Sequence, residues 1–347
     1  MRTVAWSDRS SRTPAFRRRR VSIALWVLLL SLMTAIAGAR SEHLRNGAQL
    51  SGTEESEQRG TETDLESPHG MYPGEGEVLA MHEAYPQRIT AAEVRDGEWA
   101  LEMDGQWYSW AEGRLLPVEI RERAREFLPI HFYRYETGPV PAREITVELE
   151  LALRNRTALQ DQGATDTRQR FNEFLDSLYQ IRSVRDAELT VVRVRFLGFS
   201  TRVHPLLVEP LARVERTIRA NLPFDEALAA FVGGLAAVHG YNWRPIAGTI
   251  RRSYHSYGVA VDLLPGSYER RFPYWLWAAQ AGIDTWWDAS SAPRWSVPQT
   301  VIDAFEEHGF IWGGKWLYFD NLHFEYRPEI IHMSRWNQHR DTPMTNP

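Results

Sequence analysis

The chain of 347 residues contains no cysteine. This absence excludes a disulfide framework, a thiol nucleophile, a cysteine-rich zinc site and a membrane anchor acylated on cysteine. A metal ion in this protein must therefore be held by nitrogen and oxygen atoms of His, Asp or Glu side chains.

A large excess of charge of either sign is also absent. The chain has 40 Lys and Arg residues against 45 Asp and Glu residues, a net charge of -5. Such a balance gives no global attraction to polyanions, so nucleic acid is not predicted as a partner.

With 43% hydrophobic and 24% charged residues, the composition is that of a globular protein and argues against several membrane spans. The length exceeds the ~100–200 residues of one domain, so two folded units with tails are expected.

Residues 1–39 are predicted to be an export signal. Four consecutive arginines, Arg17 to Arg20, precede the uncharged run from Val21 to Ala39, which ends in small residues that fit a cleavage site. At 19 residues the run is close to the ~20 that span a bilayer, so an uncleaved N-terminal membrane anchor is the alternative. Both readings predict an exported protein of the periplasm or cell envelope.

Residues 40–87 are predicted to form a disordered acidic linker, because they are rich in Glu, Ser, Gly and Thr and show no hydrophobic periodicity.

Residues 88–202 are predicted to be an accessory α+β region of unknown role. Asp104-Gly105, between two short aromatic runs, predicts a hairpin. Alternating apolar residues predict strands over 145–153 and 189–196, and a 3.6-residue spacing predicts a helix over 168–181.

Residues 203–336 are predicted to form the second folded unit, followed by a C-terminal tail at 337–347. Apolar periodicity predicts helices over 205–220, 225–238 and 297–308. Beyond Gly240 the sequence becomes rich in glycine and aromatic residues.

Two segments of this unit, 252–262 and 312–325, contain the residues suited to metal chemistry. His255, Asp262 and His323 supply two imidazoles and a carboxylate, and catalytic zinc sites use three such ligands with a fourth position left for water. Gly258 permits a tight turn between His255 and a short strand that carries Asp262. The spacing leaves open whether these side chains converge.

Two further residues are candidates for catalysis. Zinc lowers the pKa of water towards ~7, and a nearby carboxylate must then accept the proton. Asp320, three residues before His323, is the best-placed carboxylate. Arg244 could stabilise the oxyanion of the tetrahedral intermediate, where one donor contributes ~3–4 kcal/mol. Its alternative role is a surface ion pair.

The two segments resemble those of the peptidase M15 family, zinc peptidases that include D-alanyl-D-alanine carboxypeptidases, D,D-dipeptidases and L-alanyl-D-glutamate endopeptidases. The family pattern S-x-H-x-x-G-x-A-x-D is matched at Ser253, His255, Gly258, Ala260 and Asp262. A second pattern is matched at Trp312-Gly313-Gly314, Asp320 and His323-Phe324-Glu325. The resemblance covers about 203–332 and leaves residues 40–200 without an assignment.

The resemblance implies an α+β fold in which helices pack on a small antiparallel sheet that bears the zinc site, the M15 or Hedgehog-like peptidase fold. It implies Zn²⁺ as cofactor and peptidoglycan stem peptides as substrate. The implied ligands are His255, Asp262 and His323, with Asp320 as catalytic base and Arg244 and Ser253 in contact with substrate. Trp312 and Trp316 are expected to line the cleft, and Glu325 is either a partner of a ligand imidazole or a solvated strand residue.

Three functions stay open at this point. An Asp at position 320 favours the L-alanyl-D-glutamate endopeptidases of the family, and D-alanyl-D-alanine carboxypeptidase is the alternative within the same chemistry. The third is a non-catalytic module that binds the cell envelope and holds a structural zinc. Leu263-Leu264-Pro265 and Trp243 depart from the family pattern, which leaves the specificity open.

Overall fold

The computed structural model describes residues 72–130, 132–133, 135–140, 143–161, 168–246 and 250–341. The predicted export signal or anchor, most of the predicted linker and residues 342–347 of the predicted C-terminal tail lie outside these ranges, whereas residues 337–341 belong to the last helix. All described residues belong to one compact unit. Among them, no helix combines the length and the apolar character that crossing a membrane requires.

The fold class is α+β, as predicted. The first part of the described chain is a helix followed by a four-stranded antiparallel meander in the order β1-β2-β3-β4. Its elements are α1 (Glu75–Ala84), β1 (Ile89–Arg95), β2 (Glu98–Met103), β3 (Gln106–Ala111) and β4 (Arg114–Leu116), followed by a 3-10 helix (Val118–Glu126). Asp104 and Gly105 both have positive φ values, so the predicted hairpin between β2 and β3 is confirmed.

The middle of the chain contains three helices and a two-stranded hairpin. These elements are α2 (Val147–Asp161), α3 (Asn172–Tyr179), α4 (Val184–Thr190), β5 (Val192–Phe196) and β6 (Phe199–Val203). The helix predicted over 168–181 is confirmed as α3. The strand predicted over 189–196 begins only at Val192, because Leu189 and Thr190 belong to α4, whose first turn Ser183 caps by accepting a hydrogen bond from the Asp186 N–H.

The last part of the chain builds a second antiparallel sheet with helices packed around it. Its elements are a 3-10 turn (Pro205–Leu207), α5 (Val208–Asn221), α6 (Glu226–Gly233), β7 (Leu235–His239), a 3-10 turn (Tyr254–Tyr257), β8 (Ala260–Pro265), α7 (Trp275–Gln280), α8 (Gln299–Glu307), β9 (Phe310–Trp312), a 3-10 turn (Gly313–Lys315), β10 (His323–Tyr326) and α9 (Pro328–Asp341). The strand order is β7-β8-β10-β9. The helices predicted over 205–220 and 297–308 are confirmed as α5 and α8.

The strand predicted over 145–153 is wrong, since this segment lies in α2. Thr146 caps the helix by accepting a hydrogen bond from the Leu149 N–H. Glu150 and Arg154, four residues apart, form an ion pair of 2.7 Å that stabilises a helix. Leu149 and Leu153, four residues apart, share a helical face against one hydrophobic cluster. The alternating apolar residues therefore also contain the four-residue spacing of a helix.

The helix predicted over 225–238 is only partly correct. It ends at Gly233, and Leu235–His239 instead forms β7, which pairs with β8. Two consecutive glycines, Gly233 and Gly234, are poor helix formers and mark the change. The strand depends on a partner about 25 residues further along the chain, which local periodicity does not report.

The linker predicted to reach residue 87 is shorter than expected. Helix α1 begins at Glu75, and Val78, Met81 and Tyr85 are buried. The helix packs against α9 at the other end of the described chain. Its sequence lacks strong apolar periodicity because its contacts lie on several sides, and this explains why composition alone suggested a linker.

The region predicted to be accessory shares a hydrophobic core with the region that bears the predicted metal ligands. One cluster of buried side chains includes Tyr108 and Phe174 from the former and Tyr257 and Phe305 from the latter. The Asp176 carboxylate accepts a hydrogen bond of 2.8 Å from the Tyr257 hydroxyl. The two units predicted over 88–202 and 203–336 therefore share buried side chains and do not each have a separate core.

Candidate metal centre

The sheet brings the three predicted metal ligands together. Asp262 on β8 stands directly opposite His323 on β10 in the antiparallel register, and side chains of directly opposed residues point to the same face. His255 lies in the 3-10 turn before β8. Gly258 ends that turn with φ of 69°, and a Cβ there would come within 2.8 Å of the His204 backbone nitrogen. A glycine is required at this position.

The ligand atoms form a small triangle. The Asp262 Oδ1 atom lies 3.1 Å from His255 Nε2 and 2.8 Å from His323 Nδ1, and the two ring nitrogens are 3.1 Å apart. Four ligands at ~2.0–2.1 Å from a tetrahedral zinc ion would be separated by little more than these distances. Among the described residues, these three side chains form the one group of His, Asp or Glu residues that could hold a metal ion.

Outer hydrogen bonds fix how the two imidazoles are protonated. The His255 Nδ1–H donates to the Gly240 carbonyl oxygen at 2.6 Å, and the His323 Nε2–H donates to Glu325 Oε1 at 3.1 Å. The remaining ring nitrogen of each histidine therefore directs its lone pair towards Asp262. Metal-bound histidines carry outer partners of this kind, and Glu325 is such a partner rather than a solvated residue.

This donor set fits a cation. Two imidazole lone pairs and a carboxylate oxygen within 3.1 Å of one another repel unless a positive charge lies between them. Without a metal that charge is a proton. Burial alone would lower the pKa of His323, but its hydrogen bonds to Asp262 and Glu325 raise it to about 10. A zinc ion would replace that proton, since metal binding releases protons from its ligands.

Asp320, the predicted base, lies beside this triangle. Its backbone carbonyl accepts a hydrogen bond of 3.3 Å from the His323 N–H. Burial raises the pKa of the Asp320 carboxyl to about 6, with His323 opposing the rise and Asp262 adding to it. A carboxyl group with this pKa is ionised at neutral pH and is a better proton acceptor than an ordinary aspartate.

The guanidinium of Arg244 lies near its own backbone, where Nη1 donates a hydrogen bond of 3.5 Å to the Pro245 carbonyl. Its backbone is held by the Ser256 hydroxyl, which donates to the Arg244 carbonyl at 2.9 Å and accepts from the Arg244 N–H at 3.0 Å. Burial and the Asp320 carboxylate raise the pKa of Tyr274 to about 12, and Arg244 opposes that rise. The contact of Arg244 with a substrate or an oxyanion stays a prediction.

The residues predicted to contact substrate have different environments. Trp312 is 1% exposed, donates its indole N–H to the Asn321 carbonyl and stacks on Phe324, so the prediction that it lines the cleft is wrong. Its large aromatic side chain fills the core. Ser253 is buried, and its hydroxyl accepts a hydrogen bond from the His255 N–H, which stabilises the turn that carries this ligand. Its contact with substrate stays a prediction.

Trp316 is partly exposed and lies against His323, a predicted metal ligand. Its ring centroid is 5.6 Å from that of His323, and its indole N–H donates to the Tyr133 hydroxyl at 2.6 Å. Trp316 therefore remains a candidate for the cleft wall. Tyr133 comes from the region that was predicted to be accessory.

Sequence reasoning missed several groups at the site. The Gly240 carbonyl has no side-chain signal, and Tyr133 is distant in sequence. Tyr268 and Tyr274 are partly exposed residues whose pKa values are raised by burial and by the Asp320 carboxylate. Both lie among many aromatic residues after position 240, and no spacing pattern distinguishes them from core residues.

The comparisons with known proteins support the resemblance over part of the chain. Residues 247–326 match a peptidase M15 family model described as D-alanyl-D-alanine carboxypeptidase, which confirms the predicted resemblance and supports a peptidase. The matched segment contains His255, Asp262, Asp320 and His323 but not Arg244. Residues 77–132 match a family described as a domain of unknown function. No curated protein and no solved structure matches the chain, so the M15 fold itself stays a prediction.

Proposed function

We propose that this protein is an exported zinc metallopeptidase that hydrolyses peptide bonds in peptidoglycan stem peptides. The observation that carries the proposal is the triangle of nitrogen and oxygen atoms formed by His255, Asp262 and His323, with sides of 2.8–3.1 Å. The buried carboxyl group of Asp320, whose pKa responds to the charges of His323, Asp262 and His255, supports this proposal as the candidate base. The match to a peptidase M15 family model supports the substrate class.

Zinc in this site would supply a Lewis acid that activates water and polarises the scissile carbonyl. The Asp320 carboxylate accepts the proton of the attacking water and delivers it to the leaving amine. The Arg244 guanidinium donates hydrogen bonds to the carbonyl oxygen as negative charge develops on it. The hydrogen bonds that the imidazoles donate to the Gly240 carbonyl and to Glu325 keep both rings in the orientation that this chemistry needs.

Two bonds are candidates for cleavage. We favour the bond between L-alanine and D-glutamate, because Asp320 stands where the endopeptidases of the resembling family carry Asp. The description of the matched family favours the terminal D-alanyl-D-alanine bond instead.

Incubation with a defined pentapeptide stem, followed by mass spectrometry of the fragments, distinguishes the two bonds. Free L-alanine or an L-alanyl fragment supports the endopeptidase, whereas release of terminal D-alanine alone supports the carboxypeptidase.

Replacing Arg244 with Ala is expected to lower kcat about 100-fold on a stem peptide, because one oxyanion donor contributes about this much. KM should change less, since the contact strengthens in the transition state. Arg219→Ala is the control, because Arg219 pairs with Glu215 on the surface of α5 and should leave kcat unchanged. Equal kcat for Arg244→Ala and the control would contradict the role of Arg244.

A further inference from the structure

A chain of buried hydrogen bonds and ion pairs runs from the metal centre to helix α1. Glu325 accepts from His323, and its other oxygen lies 3.6 Å from the Arg327 guanidinium. Arg327 donates to Glu329, and the second oxygen of Glu329 accepts a hydrogen bond of 3.0 Å from the Tyr85 hydroxyl. The chain thus links a metal ligand to a residue 238 positions earlier, at the end of α1.

Every member of this chain is shielded from water. The exposed fractions are 8% for Glu325, 2% for Arg327, 3% for Glu329 and 0% for Tyr85. Negative and positive groups alternate, and a buried charge is tolerated only when it has a partner. Moving one member therefore leaves the next without its full complement of partners, so a change at the far end is transmitted towards the metal centre.

Tyr85 is a hydrogen-bond donor that remains protonated. Burial and the neighbouring Glu329 carboxylate hold the pKa of its hydroxyl well above the usual value. Its single proton goes to Glu329, so the Tyr179 hydroxyl, 3.4 Å away, is the donor in the contact between the two tyrosines. Tyr85 lies within residues 77–132, the segment that matches the domain of unknown function.

We propose that Tyr85 is a positioning residue for the metal centre. By holding Glu329, it fixes Arg327, which in turn holds Glu325 against the imidazole of His323. The region of unknown function is then an integral part of the metal site rather than a separable module. This inference rests on the metal binding in the proposed function and is independent of which peptide bond is cleaved.

The test is the zinc affinity of the full chain, measured by competition with a chelator and without substrate. Glu325→Gln is expected to weaken zinc binding by about 10–100-fold, as for other direct partners of ligand histidines. Tyr85→Phe should weaken it by about 3–10-fold, because Tyr85 acts on His323 through three intervening side chains. Tyr108→Phe is the matched control. Tyr108 is a buried tyrosine of the same segment but is not a member of the series of hydrogen bonds and ion pairs that leads to His323.

A double-mutant cycle distinguishes positioning from a general loss of packing. If Tyr85 acts through Glu325, the two effects on zinc affinity will be less than additive when combined, whereas independent effects add. Zinc affinity in Tyr85→Phe equal to that of the control, or fully additive effects, would overturn the inference.

A second variant, Glu329→Gln, covers the case in which Tyr85→Phe folds poorly. It keeps the shape of the side chain but removes one of the charges beside Arg327, and it should weaken zinc binding at least as much as Tyr85→Phe. Unchanged zinc affinity in Glu329→Gln would also overturn the inference. If the unaltered protein bound no zinc, both the proposed function and the positioning role would be refuted. Normal zinc binding in both variants would refute the positioning role alone.

Discussion

Asp320→Asn is expected to lower kcat on a stem peptide by about 10²–10⁴-fold, the range that a general base contributes. Asparagine has nearly the same shape but cannot accept the proton of the attacking water. Zinc affinity and the thermal unfolding midpoint should stay close to those of the unaltered protein, because Asp320 is not one of the three ligands. Steady-state kinetics and metal analysis on the same preparation measure all three quantities.

Asp303→Asn is the matched control for this experiment. Asp303 is an exposed residue on α8 that accepts a hydrogen bond from Gln299, and its replacement should leave kcat unchanged. The comparison also tests the alternative of a non-catalytic module that binds the envelope, which would show no turnover before or after the change. Retained activity in Asp320→Asn would refute its assignment as the base.

Removal of a metal ligand should have the second large effect. His255→Ala eliminates one corner of the ligand triangle and leaves the Gly240 carbonyl without its donor. Zinc affinity should fall more than about 100-fold, beyond the range for loss of an outer partner, and peptidase activity should disappear with it. Chelator competition and metal analysis of the purified variant measure the loss.

His308→Ala is a suitable comparison for the ligand variant. His308 contacts Thr217 at 3.3 Å and lies outside the metal centre, so its replacement should leave zinc content unchanged. His323→Ala should behave like His255→Ala. Full zinc occupancy in either ligand variant would contradict the ligand set.

Local signals explain which parts of the fold could be predicted from the sequence. The hairpin at Asp104-Gly105 depends on two residues that readily adopt positive φ, and α8 follows from apolar spacing within one segment. Strand β7 was missed because it is defined by pairing with β8. Helix α2 was mistaken for a strand because Leu149 and Leu153 satisfy both a two-residue alternation and the helical four-residue spacing.

The structure groups His255, Asp262 and His323, the three predicted ligands, because Gly258 permits the turn after His255 and the register of β8 and β10 places Asp262 opposite His323. The hydrogen-bond partners of the two histidines were harder to predict from the sequence. Glu325 follows His323 closely and could be suggested from sequence, whereas the Gly240 carbonyl carries no side-chain signal. Tyr85 is connected to the site only through tertiary packing, and its segment looked like the end of a linker.

The most direct test of the central claim is digestion of purified peptidoglycan, read by mass spectrometry. The zinc-loaded protein should release fragments with new free peptide ends, and the chelated protein and Asp320→Asn should release almost none. Adding zinc back to the chelated protein should restore the fragments. The absence of new peptide ends from the zinc-loaded protein, or the same fragments from Asp320→Asn, would contradict a zinc peptidase acting through this site.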